Sequence, residues 1–368
     1  MRIAVVPGDG IGPEVTAQSV RVLNALRDRD FDFELREWPA GAEAYQHSGV
    51  PLPQSTRAAV LEADAVLFGA IGDARFDHLE RRLRPEQAIL EIRGALGLYA
   101  GIRHIRIDSA LAHLSPLQAR LAAGTDIMLV RELAGDVYTG TPRGQRIAED
   151  GFGSGEPEGF DTMRYSRPEV RRVAHAAFKI ARSRSQRLHS VDKANVLETS
   201  RLWRNVLEEV GADYPDVRLT HIYADTAGME LVSRPSQFDT IVAPNLFGDM
   251  ISDLASALSG SVALCATAML GSRGTWLFEP GHGSAMDIAG RGTANPIASL
   301  RAAALLLRHA AGRDDLALRV ERAIQSVMKK GLRTSDIQEP GTTVVGTKQI
   351  GDAIVHALNR NGSELAEV

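Results

Sequence analysis

Asp249 and Asp253 in NLFGDMISDLAS lie four residues apart and so share one helical face, where like charges repel by roughly a few tenths of a kcal/mol. A bound Mg²⁺ or Mn²⁺ reverses that penalty, because these cations take carboxylate oxygens and keep positions free for substrate oxygens. A solvated acidic face is the other reading, although Phe247, Met250, Ile251 and Leu254 leave this helix poorly polar. Asp225 in YADTAGMELV follows a strand-like run and could complete the cation's ligands. Arg93, Arg103 and Arg131 stand on three separate segments, EIRGAL, AGIRHI and LVREL. Arginine forks grip carboxylates bidentately, so three in one pocket would suit a di-acid; scattered surface placement is the alternative. Tyr138, in a Gly-rich stretch after Arg131, could act as an acid or be a buried phenol with a satisfied hydroxyl. Lys193 in SVDKANVLE follows a strand-like run, at the strand end where α/β proteins place their sites, or it is a salt-bridged surface lysine. The stretch LFEPGHGSAMDIAGRGTANPIAS offers Gly, Ser and Asn groups that could wrap an adenine and ribose. Asp287 there could accept from ribose hydroxyls while repelling a 2′-phosphate.

Those groups need strands and helices to hold them. Ile3 to Val6 reads as a buried strand, followed by the turn GDGIGPE and a helix from Glu14 to Leu26. Gly8, Gly10 and Gly12 are spaced GxGxG, without the GxGxxG order of a dinucleotide fingerprint, so taken alone they favour a tight turn with Pro13 in the first helical turn. Further strands are expected at Ala65 to Phe68, Asp126 to Val130, Arg187 to Val191, Leu219 to Tyr223 and Thr240 to Val242. Helices are expected at Pro168 to Ser183, Thr199 to Val210, Met250 to Leu258, Pro296 to Gly312 and Leu316 to Lys330. The alternation predicts an α/β sandwich. Glu149 to Gly159 reads as a loop or arm tip.

Composition narrows the function classes. With 368 residues, 42 Lys plus Arg against 46 Asp plus Glu, and a net charge of -4, non-specific nucleic-acid binding has little electrostatic support. The 44% hydrophobic and 24% charged content is that of a globular chain able to bury a large core. A single cysteine, Cys265, allows neither an intramolecular disulfide nor a cysteine metal cluster. No apolar stretch approaches the roughly 18 residues of a spanning helix, and a cytoplasmic location without membrane partner is expected.

Together and in this order, GDGIGPE, RPEQAILEIR, VREL, SVDKANVLE, NLFGDMISDLAS and HGSAMDIAG resemble the β-decarboxylating dehydrogenases, the family acting on isocitrate, homoisocitrate and 3-isopropylmalate, and most closely its isopropylmalate branch. The resemblance runs nearly end to end. It implies an α/β fold distinct from the Rossmann type, with a large discontinuous nucleotide-binding domain (1–98 and 260–368) and a central domain (99–259) that forms a homodimer and carries an arm near 149–159. It implies catalysis by Tyr138 and Lys193, cation binding by Asp249 and Asp253 with the partner's Asp225, and substrate contacts from Arg93, Arg103, Arg131, Glu86, Ile89 and Leu90. Lys193, Asn195 and Asp225 would cross to the partner's site. NAD would be held by Ile11, Glu279, His282, Gly283, Ser284, Ala285, Asp287, Ile288 and Asn295.

The implied chemistry is oxidation of a 2-hydroxy acid followed by loss of CO₂. Lys193 would take the hydroxyl proton as hydride leaves for NAD; a divalent cation would stabilise the enolate, and Tyr138 would protonate the enol carbon. In the isocitrate branch positions 87 and 89 would be Ser and Asn; here Gln87 and Ile89, with Leu90, favour a branched alkyl group. The expected substrate is 3-isopropylmalate in leucine biosynthesis. Homoisocitrate, tartrate, malate and anionic analogues are the alternatives, His104 being able to pair with an acidic substituent if it turns inward; a non-catalytic regulatory subunit is a further one.

Overall fold

A computed structural model describes residues 1–28, 31–122 and 124–364; the remaining positions of the two expected domains lie outside the described residues. The chain divides into two compact units. The first comprises 1–98, 102–125 and 256–368, and the second 99–101 and 126–255. Residues 102–125, expected with the central segment, pack in the first unit because their anchors lie there: Asp108 accepts from the Arg301 guanidinium, and Arg333 donates to the Ala110 carbonyl.

In the first unit the strands run Glu34–Glu37, Arg2–Gly8, Ala65–Ala70, Trp276–Pro280 and Ala266–Gly271, side by side in that order. All are parallel except the last, which pairs antiparallel to its neighbour. Ala65–Ala70 is buried along its whole length, as a strand covered on both faces must be. The helices Gly12–Ala25 and Ile297–His309 pack on it, Asp314–Lys329 and Thr347–Glu364 pack against those helices, and ten residues of Ile297–His309 are buried, which is why its sequence is almost continuous Ala and Leu.

In the second unit four parallel strands stand in the order Asp126–Glu132, Thr240–Ala243, Arg187–Asp192, Arg218–Tyr223. Arg167–Arg182 and Glu198–Gly211 cover the sheet, the first opened by a Ser166/Glu169 capping box and the second anchored by Trp203, which is fully buried and donates to Ser190 Oγ at 3.1 Å.

Two expectations change. Glu149 to Gly159 is not loop throughout: Pro157–Phe160 pairs antiparallel with Gly144–Ile147, and only the residues between those strands form the tip. Their alternating, mostly exposed residues carry too little apolar signal to show a strand in sequence. The acidic helix starts five residues early, at Asn245, because its first turn is built from the residues directly after a strand.

The turn after the first strand is geometrically forced. Gly10 has φ +61°, and a Cβ there would lie 1.9 Å from the Ser284 carbonyl oxygen. Gly10→Ala is therefore expected to cost about 2–4 kcal/mol, since left-handed strain adds to displacement of a backbone segment. Thermal unfolding should show the lowered midpoint; an unchanged midpoint would mean that the 281–295 segment yields freely.

Candidate functional site

The four strands Asp126–Glu132, Thr240–Ala243, Arg187–Asp192 and Arg218–Tyr223 are parallel, so their C-terminal ends deliver side chains to one edge of the sheet, the edge at which open α/β sheets bind ligands. Arg131 comes from the first of these strands, Asn245 directly after the second, Lys193 after the third and Asp225 after the fourth. Register does the rest. Ala243 is paired with Arg131, and Asp192 with Tyr223, so the four residues arrive as two neighbouring couples.

The first couple builds a charged cluster. Asp249 accepts hydrogen bonds from the Arg131 guanidinium and from the Tyr138 hydroxyl, and Arg131 also sits 5.3 Å over the Tyr138 ring. Arg131 Nε donates to Asn245 Oδ1 at 2.9 Å. Partial burial, and then the Asp249 carboxylate, raise the Tyr138 phenol above its ordinary range, so that, like any phenol and by a wider margin, it is protonated at neutral pH. Tyr138 is 43% exposed, so it is not the buried tyrosine that was the alternative. Asp253 lies one helical turn on, exposed on the same face.

The second couple is an ion pair: Lys193 Nζ lies 2.8 Å from Asp225 Oδ2, and the lysine holds that carboxyl below its usual range. Asp192, just before Lys193, is fully buried and bonded to Arg204, which fixes the strand end from which the lysine projects. Asn195 is exposed two residues later. Among the described residues, no three His, Cys, Asp or Glu side chains of the one chain gather as a cation would need. Asp225 is thus not joined there to Asp249 and Asp253.

The first unit carries the remaining predicted groups. Glu86 directly precedes the helix Gln87–Leu96, and Glu86, Leu90 and Arg93 share one of its faces while Ala88, Ile92 and Leu96 are buried. Leu90 is exposed and Ile89 half-buried. Arg93 Nη2 donates to Glu279 Oε1 at 3.3 Å, and Arg103 Nε donates to Thr267 Oγ1 at 3.1 Å. Thr267 and Glu279 face each other across the antiparallel ladder, so the pairing register sets Arg93 and Arg103 side by side. His104, on the other face of the strand Leu98–Arg106 that carries Arg103, lines a cleft with Arg106, Arg301, Leu305 and Arg308. It therefore does not turn toward Arg103, which removes its proposed pairing with an acidic substituent.

The segment 281–295 folds over the opening turn. The Ile11 N–H donates to the Ser284 carbonyl at 2.8 Å, Ala285 and Ile288 pack on Ile11, Val15 and Ala294, and Gly292 N–H donates to Glu14 Oε2 at 3.0 Å. Asn295 donates to Asp336 and caps the helix Ile297–His309 by accepting from the Ile297 N–H. Gly283 and Asp287 remain exposed. His282 is held neutral by burial; its Nδ1 meets the Gly283 carbonyl, and its Nε2 is buried without a partner among the described residues. An orphaned ring nitrogen within a loop of exposed glycines is the arrangement a heteroaromatic ligand would complete. Sequence reasoning missed Asn245, Glu132, Asp136 and Tyr165, which stand behind the Arg131 cluster. A polar residue immediately after a buried strand was the available signal for Asn245.

Comparisons with known proteins cover the whole arrangement. The profile described as Isocitrate/isopropylmalate dehydrogenase matches residues 2–354. A 3-isopropylmalate dehydrogenase of Burkholderia pseudomallei (strain 1710b) is 54% identical over 358 residues, 97% of this chain and 100% of that one. One from Bordetella avium (strain 197N) is 52% identical over 357 residues, 97% and 99% of the two chains. Among solved structures, isocitrate dehydrogenase from Methylococcus capsulatus superposes with TM-score 0.82 at 30% identity over 97% of this chain and 99% of that one. A β-decarboxylating dehydrogenase from Thermococcus kodakarensis in its apo form gives 0.80 at 31%, over 98% and 97%. No described helix is long and apolar enough to cross a membrane.

Proposed function

The chain belongs to the isocitrate/isopropylmalate dehydrogenase family, and from that premise we propose that it oxidatively decarboxylates 3-isopropylmalate to 2-oxoisocaproate in leucine biosynthesis, using NAD and Mg²⁺ or Mn²⁺. The observation that carries the substrate is the 54% identity, across 97% of the chain, to enzymes named for it. Geometry supports the same choice. Exposed Leu90 and half-buried Ile89 sit within one turn of Arg93, so an alkyl group beside a bound carboxylate would meet apolar surface. A third carboxylate there would lose its hydration without a partner.

In this reading Arg93, Arg103 and Arg131 hold the two carboxylates of the malate, with Glu86, Ile89 and Leu90 around its C3 group. Lys193, with Asp225 and Asn195, comes from the partner subunit and, as the neutral amine left after it releases its own proton to solvent, takes the C2 hydroxyl proton. Tyr138, kept protonated by burial and by Asp249, returns a proton to carbon once CO₂ has left. Asp249 and Asp253, with the partner's Asp225, suit a hard cation through their oxygen-only donors, and such a cation supplies Lewis-acid stabilisation of the developing negative charge. A second copy of the chain is supported by the exposed Met229, Val232 and Met250 on the helices that follow the fourth and second strands. NAD, bound by Ile11, Glu279, His282, Gly283, Ser284, Ala285, Asp287, Ile288 and Asn295, supplies the hydride acceptor.

A panel of malates with Mn²⁺ and either nucleotide tests the reading. We expect NADH formation with 3-isopropylmalate to exceed that with isocitrate, homoisocitrate, malate or tartrate by at least about tenfold in kcat/KM, the discrimination of one or two apolar contacts. NAD should outperform NADP, because the Asp287 carboxylate repels a 2′-phosphate. A panel led by an acidic malate would replace the alkyl-pocket reading, NADP preference would show a cation rescuing the phosphate, and a purified chain inert with every malate would favour the regulatory subunit.

A further inference from the structure

Asn245 is 2% exposed and stands at the start of the helix that carries Asp249 and Asp253. Its side chain is used at both ends: Oδ1 accepts from Arg131 Nε at 2.9 Å, and Nδ2 donates to the Gly135 carbonyl at 3.1 Å, three residues before Tyr138. Its backbone N–H donates to the Tyr165 hydroxyl oxygen at 2.8 Å. The next N–H, that of Leu246, donates to Asp136 Oδ2 at 3.1 Å, and Asp136 is a fully buried residue in a left-handed conformation (φ +73°) two positions from Tyr138. Glu132, fully buried, grips the other side of the same turn through the N–H groups of Ala134 and Gly135. The loop carrying Tyr138, the strand end carrying Arg131 and the first turn of the acidic helix are therefore tied at one amide.

We propose that Asn245 is a positioning residue that holds one edge of Arg131 and binds the Tyr138 loop to the helix of Asp249, so that guanidinium, phenol and carboxylate keep one mutual geometry. The inference rests on the proposed roles of Arg131 in substrate binding and Tyr138 in proton transfer. Because the two ends of the amide do different things, two substitutions separate them. Asn245→Asp keeps an acceptor for Arg131 and loses the donor to Gly135; Asn245→Ala loses both.

Asn245→Asp is expected to lower kcat about thirtyfold with KM for the malate within about twofold of wild type, and Asn245→Ala to lower kcat similarly while raising KM about tenfold, the scale of effect for ångström misplacement of reacting groups. A purely structural role would move kcat and KM alike in the two variants, and that outcome overturns the proposal. Hydrogen exchange of peptides spanning Ala134 to Gly140, measured on the whole folded protein, gives a second readout that does not need turnover. Both variants should exchange faster there than wild type while the Arg167–Arg182 helix stays protected; unchanged protection of the loop overturns the proposal even if the malate panel fails. Wild-type inactivity with every malate, together with a loosened loop in both variants, would reject the substrate reading and keep the tie.

Discussion

Lys193→Ala is expected to lower kcat by about 10³-fold or more at saturating substrate, within the range attributed to a positioned general base. The substitution touches little else. Lys193 is partly exposed, its strand end is fixed by the bond between buried Asp192 and Arg204, and its own N–H is held by Ser200 Oγ at 3.0 Å. The loss should therefore appear in kcat with the thermal midpoint little changed and the oligomeric state, whatever sedimentation finds for wild type, the same. The carboxyl of Asp225, which the lysine holds low, should drift back toward the ordinary carboxylate range. Steady-state kinetics, with sedimentation to confirm assembly, decides the matter; a variant retaining a tenth of wild-type turnover would place the base elsewhere.

Asp249→Asn should be comparably severe and, unlike Lys193→Ala, should show in the dependence on metal. Asp249 receives both the Arg131 guanidinium and the Tyr138 hydroxyl, and the amide keeps the shape while deleting the charge that those donors and a cation would share. We expect kcat/KM to fall about 10³-fold, the several kcal/mol that a Lewis-acid cation contributes, and the half-saturating Mn²⁺ concentration to rise by more than about tenfold. Lys193→Ala removes a positive charge paired with Asp225 but no oxygen donor, so it should not raise that concentration, and the pair of variants separates proton transfer from cation binding. A Mn²⁺ titration of Asp249→Asn that overlays wild type would return the helix to the solvated-face reading.

Much of the site was legible in order along the chain. The i,i+4 spacing of Asp249 and Asp253 required a helix and obtained one; GDGIGPE required a turn, and Gly10 is left-handed against Ser284 as that turn demands. The family followed from motifs in sequence order, and the profile match over residues 2–354 agrees. Legibility failed where strands are short or mixed in character and carry no clean period. Leu98–Arg106, Ala266–Gly271 and Trp276–Pro280 were not expected as strands, although Arg103, Thr267 and Glu279 depend on them. The arm strand Pro157–Phe160 was lost in an acidic, Gly-rich stretch for the same reason.

By itself, then, the sequence determined which chemical groups are present, which local elements carry them and which family they belong to, because residue type and short-range spacing act within one helix turn or one strand. Which groups meet was decided by the tertiary structure. Parallel pairing of Arg187–Asp192 with Arg218–Tyr223 brings Lys193 to Asp225, and the ladder opposing Thr267 to Glu279 sets Arg103 beside Arg93. The strand pleat sends His104 away from Arg103, and a single buried amide at Asn245 joins the segments of Arg131, Tyr138 and Asp249. Such contacts join residues more than a hundred positions apart in several cases, and strand register and burial specify them where no local pattern can.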